Sequence, residues 1–119
     1  MKKTVVLGAS ANPERYSYLA VQNLTKQNHS VIAIGNKAGL INGVAIITDH
    51  PAEKDVDTVT LYLNPTAQKE YYDYIFSLHP KRIIFNPGTE NDELENLAKA
   101  KGIQAIEACT LVMLRTGQY

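Results

Sequence analysis

Neither sign of charge is in surplus: twelve Lys and Arg residues balance twelve Asp and Glu over 119 residues. Such a balance offers no electrostatic footprint for nucleic acid or for an anionic membrane. No apolar run approaches the ~20 residues of a bilayer span, and Met1-Lys2-Lys3 leads straight into a short strand pattern. Cysteine is nearly absent; Cys109 alone cannot form an internal disulfide, which fits a reducing compartment. These absences predict a soluble, cytoplasmic protein with neither nucleic acid nor membrane as partner. Catalytic motifs are missing as well: there is no Walker A sequence, no G-x-S-x-G elbow and no metal-type His/Cys spacing. His29 and His79 fall at helix-to-strand turns, and His50 lies in a loop without an evident partner. No catalytic residue and no metal site is therefore expected.

What is present is an alternation of strand and helix patterns with no internal repeat or linker, read as one domain over residues 1–119. Apolar strand patterns run over 3–7, 30–34, 44–47, 58–63, 82–85 and 103–106. Between them, Ala20, Val21 and Leu24 mark one helix; Ala67, Tyr71, Tyr74, Ile75 and Leu78 mark a second. Leu94, Leu97 and Ala98 mark a third, capped by Thr89 or Asn91, and residues 109–115 a short terminal one. The polar stretch Asp49 to Asp57 is expected to include a short turn of helix. Asn12 and Ser17 are both candidate caps for the first helix, with Pro13 suited to a first helical position. The third strand follows the second too closely for a helical crossover, so its direction is open. The fold class is α/β, an open and mostly parallel sheet of five to six strands with helices on both faces.

Strand ends carry Gly8-Ala9-Ser10, Asn64-Pro65 and Asn86-Pro87, with Asn12-Pro13 just beyond the first loop and Gly35-Asn36-Lys37 after the second strand. In a parallel sheet these all lie on the carboxyl edge, where ligands bind at the switch point. A Gly/Ser loop running into a helix start is a seat for phosphate. The dinucleotide fingerprint fails, however, because Ser10 and Pro13 stand where its later glycines belong. No carboxylate follows the second strand to take ribose hydroxyls; Lys37 stands there instead. A ligand with an extra ribose phosphate, such as NADP or coenzyme A, is favoured.

The segment Gly8-Ala9-Ser10-x-Asn12-Pro13-x-Arg15-Tyr16-Ser17 resembles the opening motif of the small stand-alone CoA-binding proteins. Their Rossmann-like, three-layer fold also occurs at the start of the succinyl-CoA synthetase α subunit. The similarity continues through Asp55-Val56-Asp57, then Gly88-Thr89-Glu90-Asn91-Asp92-Glu93, and a Cys after the last strand. It implies CoA or an acyl-CoA as ligand, with the pyrophosphate on Gly8, Ala9, Ser10, Asn12, Arg15, Tyr16 and Ser17. Gly35, Asn36 and Lys37 would take the adenosine and its 3′-phosphate. Tyr62, Leu63, Asn64 and Pro65 would line the pantetheine path, and Asn86, Pro87 and Gly88 would border the thiol. The chain departs from the family pattern after the second strand, where Asn-Pro is usual.

The leading expectation is non-catalytic binding of CoA, as a sensor or carrier. Alternatives are an NADP-dependent or acyl-CoA-transforming component working with a partner subunit, and a module that dimerises through Leu111, Val112 and Leu114. Cys109 is a candidate for thiol exchange with CoA, against the plainer role of a small buried residue. Tyr72, in the Tyr71-Tyr72-Tyr74 cluster, is a candidate for subunit contact in a homodimer.

Overall fold

Alternate residues of each central strand face opposite layers, and this period of two organises the interior. In the computed structural model, which describes residues 1–119, the first strand, β1 (Thr4–Leu7), is buried at every position. Its Val5 and Leu7 point to one layer and Val6 to the other. The same division holds for β5 (Thr58–Leu61) and β6 (Arg82–Phe85), where Val59, Leu61, Ile83 and Phe85 join the first layer. Strands β2 (Val31–Ile34), β3 (Gly39–Ile41), β4 (Val44–Ile47) and β7 (Gln104–Glu107) complete a seven-stranded sheet of order β3-β4-β2-β1-β5-β6-β7. All pairings are parallel except β3 with β4. The α/β, Rossmann-like expectation holds, with seven strands in place of five to six.

The added strand is Gly39–Ile41, between the second and third strand patterns. It is three residues long and pairs only with β4, so no period could reveal it. Asn42 and Gly43, with φ of 47° and 82°, make the tight hairpin turn that joins the two. This also fixes the direction of β4. The chain steps out to the sheet edge as β3 and returns beside β2 in parallel, with no helical crossover.

The first layer is covered by α2 (Pro65–Gln68), a 3₁₀ turn over Lys69–Tyr71, α3 (Tyr72–Ser77) and α4 (Asp92–Ala100). Tyr71, Tyr74, Ile75 and Leu78 are buried there as the stripe predicts, but the helix is broken rather than continuous. Asn64 caps α2, its Oδ1 accepting the Ala67 N–H at 2.9 Å. Ala67 is only half-buried, and Gln68 is fully buried in its place. Asn91, not Thr89, caps α4 by accepting the Leu94 N–H at 3.2 Å. Leu97, expected inside, is 40% exposed, so the buried face of α4 is Leu94, Glu95 and Ala98. No helix forms between Asp49 and Asp57; Pro51 and the positive φ of Asp55 (58°) keep that segment irregular.

The second layer is covered by α1 (Tyr16–Lys26) and α5 (Thr110–Arg115), linked by Gln27 Nε2 donating to Leu114 O at 3.3 Å. Val21, Leu24 and Leu114 pack on Val6, Ala33, Ile41 and Ile46. Leu114 is thus core, and of the terminal apolar group only Val112 is well exposed. No helix is long and apolar enough to cross a membrane.

Candidate functional site

The carboxyl ends of β1, β2, β5 and β6 open into a cleft of about 760 Å³. Its floor is set by close backbone crossings. Gly8 leaves β1 with φ of 93°, and a Cβ there would stand 2.9 Å from both the carbonyl carbon and oxygen of Tyr62. At Gly35 a Cβ would collide with the Ala9 carbonyl. Only glycine lets the first loop settle between the strand ends on either side.

After Ala9 the chain turns twice before the helix begins. The Ser10 hydroxyl accepts the Asn12 N–H at 3.1 Å, and Asn12 Oδ1 accepts the Glu14 N–H at 3.0 Å. The Arg15 N–H donates to Asn12 O at 3.0 Å. Asn12 and Pro13 therefore build a turn and not a helix start. Arg15 is extended (φ −83°, ψ 141°), and α1 begins at Tyr16 with no side-chain cap and no acidic residue in its first turn. Neither Asn12 nor Ser17 caps it; Ser17 is buried inside the first turn.

This arrangement leaves donors free. The backbone N–H groups of Ser10, Ala11, Tyr16 and Ser17 have no acceptor in the protein. All four residues line the cleft. Across from them, Asn36 and Lys37 follow β2, and their N–H groups are likewise unpaired. The charged residues on the cleft wall are Arg15 and Lys37; no carboxylate stands among its lining residues. In a chain with no net charge, this is a local concentration of positive potential.

Of the residues singled out from sequence, Gly8, Ala9, Ser10, Asn12, Arg15, Tyr16, Ser17, Asn36, Lys37, Tyr62, Leu63, Asn64, Pro87 and Gly88 line this one cleft. Gly35, Pro65, Asn86 and Cys109 do not. Gly35 lies buried beneath the first loop, and Pro65 opens α2. Cys109 is half-buried at the residue before α5.

Asn86 is a brace. Its Nδ2 donates to Thr60 Oγ1 at 2.7 Å and to Leu61 O at 2.8 Å, while Oδ1 accepts the Thr110 N–H at 2.8 Å. The two threonine hydroxyls meet at 2.8 Å. A chain of buried polar groups thus runs under the cleft beside Tyr62, whose phenol is held well above its ordinary range chiefly by burial. Gln68 does similar work for the far wall: its Nε2 donates to Leu63 O and Thr89 O, both at 2.8 Å, and its Oε1 accepts from Asn91 at 2.8 Å.

Ala11, Ala38 and Thr89 also line the cleft and escaped the sequence reading. Each directly follows a residue singled out from sequence, Ser10, Lys37 and Gly88 respectively, so contiguity was the available signal. Tyr72, considered for subunit contact, is half-buried and hydrogen-bonded to Asn91 and Glu93. His50 does have partners: its ring lies tilted against Tyr71 and Tyr74, with centroids 4.8 and 4.9 Å away.

No curated protein matches the chain. Among solved structures, one of an uncharacterised protein is 50% identical with a TM-score of 0.97, covering 100% of this chain and 98% of that one. The structure of cell-free ID.343 from Thermus thermophilus is 20% identical with a TM-score of 0.86, covering 99% of this chain and 90% of that one. A conserved hypothetical protein from Pyrococcus furiosus is 22% identical with a TM-score of 0.81, covering 94% and 98% respectively. The last two likenesses speak to fold alone. The family model of the CoA binding domain matches residues 2–115, a span that takes in every wall of the cleft. By that match, this chain belongs to the CoA-binding domain family.

Proposed function

We propose that the chain binds coenzyme A or an acyl-CoA in this cleft and performs no chemistry on it. The observation that carries the reading is the set of unpartnered N–H groups at Ser10, Ala11, Tyr16 and Ser17, beside Arg15 and Lys37 and free of carboxylates. A pyrophosphate is an acceptor-only dianion, and a glycine loop with a helix N-terminus is the backbone arrangement that satisfies it. The close crossings at Gly8 and Gly35 fit this role, because they hold the loop backbone low enough for its donors to face the cleft. CoA supplies a thiol or thioester; the protein would supply position and charge.

In this reading Arg15 pairs with the pyrophosphate and Lys37 with the 3′-phosphate. Tyr62, Leu63 and Asn64 flank the pantetheine, and Pro87, Gly88 and Thr89 border its far end. Asn86, Gly35 and Pro65 act by holding these walls. Cys109 is half-buried at the residue before α5 and is not among the residues that line the cleft.

Calorimetric titration tests the reading. CoA should bind saturably and compete with 3′,5′-ADP, and Arg15→Ala should weaken it roughly tenfold. Lys37→Ala should weaken CoA but leave 3′-dephospho-CoA unchanged. No heat with CoA alongside clear binding of NADP would overturn it, because Lys37 suits either ribose phosphate.

A further inference from the structure

Three carboxylates gather away from the cleft wall, where α4 meets the edge strand β7. Asp92 and Glu95 stand on the first turn of α4, and Glu107 ends β7. One oxygen from each lies within 4.8 Å of the other two. None has a cationic side chain at ion-pair distance; the ion pairs present are Lys3 with Glu53 and Arg82 with Asp57.

A helix N-terminus stabilises acidic residues, which accounts for Asp92 and Glu93. It does not account for Glu107, brought to the same place by a strand. Nor does it account for Glu95, which is 8% exposed and whose Oε2 is buried with no hydrogen-bond partner. A buried, unpaired carboxylate oxygen is costly, and two further carboxylates beside it add repulsion. A cation at their centre removes both costs at once.

We propose that Asp92, Glu95 and Glu107 hold a hard divalent cation of calcium size. Oxygen is the only donor type present, which suits calcium or magnesium over zinc. Ligands on opposite sides of calcium lie about 4.6–5.2 Å apart, against about 4.0–4.2 Å for magnesium. The three oxygens lie within 4.8 Å of one another, a spread that calcium bridges without drawing the helix onto the strand. Asp92 and Glu107 are exposed, so water can complete the shell on the outer side. The ion ties the start of α4 to the end of β7, and α4 begins where the 86–91 loop ends.

Thermal melts and calorimetry of the full chain, after chelator treatment, test this with CaCl2, MgCl2 and NaCl of matched ionic strength. Saturating CaCl2 should raise the melting temperature by about 4 °C or more, and MgCl2 by less. Glu95→Gln should melt above the wild type without metal, since it removes a like charge, and should lose the calcium response; Glu107→Gln should behave likewise. An equal calcium response in Glu95→Gln, or no response beyond the NaCl control, sinks the proposal. So does a wild type that gains stability on mild acidification yet ignores CaCl2 near neutral pH, which would mean that Glu95 and Glu107 share a proton instead.

Discussion

The Asn86 carboxamide accepts the backbone N–H of Thr110 at 2.8 Å, joining the end of β6 to the first residue of α5 beneath the cleft. Both residues are buried, and the same carboxamide donates twice to β5. Replacing it with Ala leaves Thr60 Oγ1, Leu61 O and the Thr110 N–H short of a partner in the interior. Asn86→Ala should therefore lose about 3 kcal/mol, read as a shift of the urea midpoint at constant slope. Asn86→Asp should be no rescue, because a carboxylate has no donor for Thr60 and Leu61.

Gly8→Ala should be as damaging for another reason. The new Cβ would lie 2.9 Å from the Tyr62 carbonyl, at a φ of 93° that L-residues rarely adopt. The loop must lift, and the donors of Ser10 and Ala11 lift with it. The expected result is a loss of roughly 2 kcal/mol in denaturant unfolding together with loss of CoA binding in calorimetry. Gly43→Ala, whose Cβ meets nothing within 4 Å, should leave CoA binding intact despite its own positive φ.

Acid should weaken the opposite edge of the sheet. His29 Nδ1 accepts the Lys2 N–H at 3.0 Å, and its ring meets Tyr119 edge-on at 5.0 Å. Burial first, then the N-terminus, Lys2 and Arg82, hold its pKa below the ordinary 6.5, with Asp57 opposing. The unfolded chain thus binds the proton more readily. His29 costs no stability above pH 6.5; the loss grows as pH falls from there towards the folded pKa, and levels off below it. Urea midpoints measured from pH 7.5 down to about pH 5 should fall more steeply for the wild type than for His29→Gln. Parallel curves would refute a role for this histidine.

The cap of α4 and the stripe of the second helix were legible because they are local, whereas the first helix takes no side-chain cap and its candidates Asn12 and Ser17 miss. Asn91 sits three residues from the N–H it accepts, and Tyr71, Tyr74, Ile75 and Leu78 repeat at helical spacing. The cleft was legible for a related reason: a parallel sheet sends every strand end to one edge, so motif positions and strand order suffice. The rest depended on partners distant in sequence. Gln68 reads as a surface helix residue until Leu63, Thr89 and Asn91 close around it. Tyr119 gives no sign that it will bond to Thr4 Oγ1 and lie 4.4 Å beneath the Arg82 guanidinium. Asn86 looks like loop punctuation, and only the arrival of Thr110 turns it inward. The strand Gly39–Ile41 was missed because its hydrogen bonds, and not its side chains, define it.

The cleft draws its walls from residues 8–12, 15–17, 36–38, 62–64 and 87–89, so no short fragment of the chain contains it. Whatever fills it must select the finished chain over every partly folded one. An occupant at a hundred times its dissociation constant would add about 2.7 kcal/mol to the folded state. The protein's survival against proteases would then rise and fall with the supply of its own ligand, which makes its half-life in a cell a gauge of that supply.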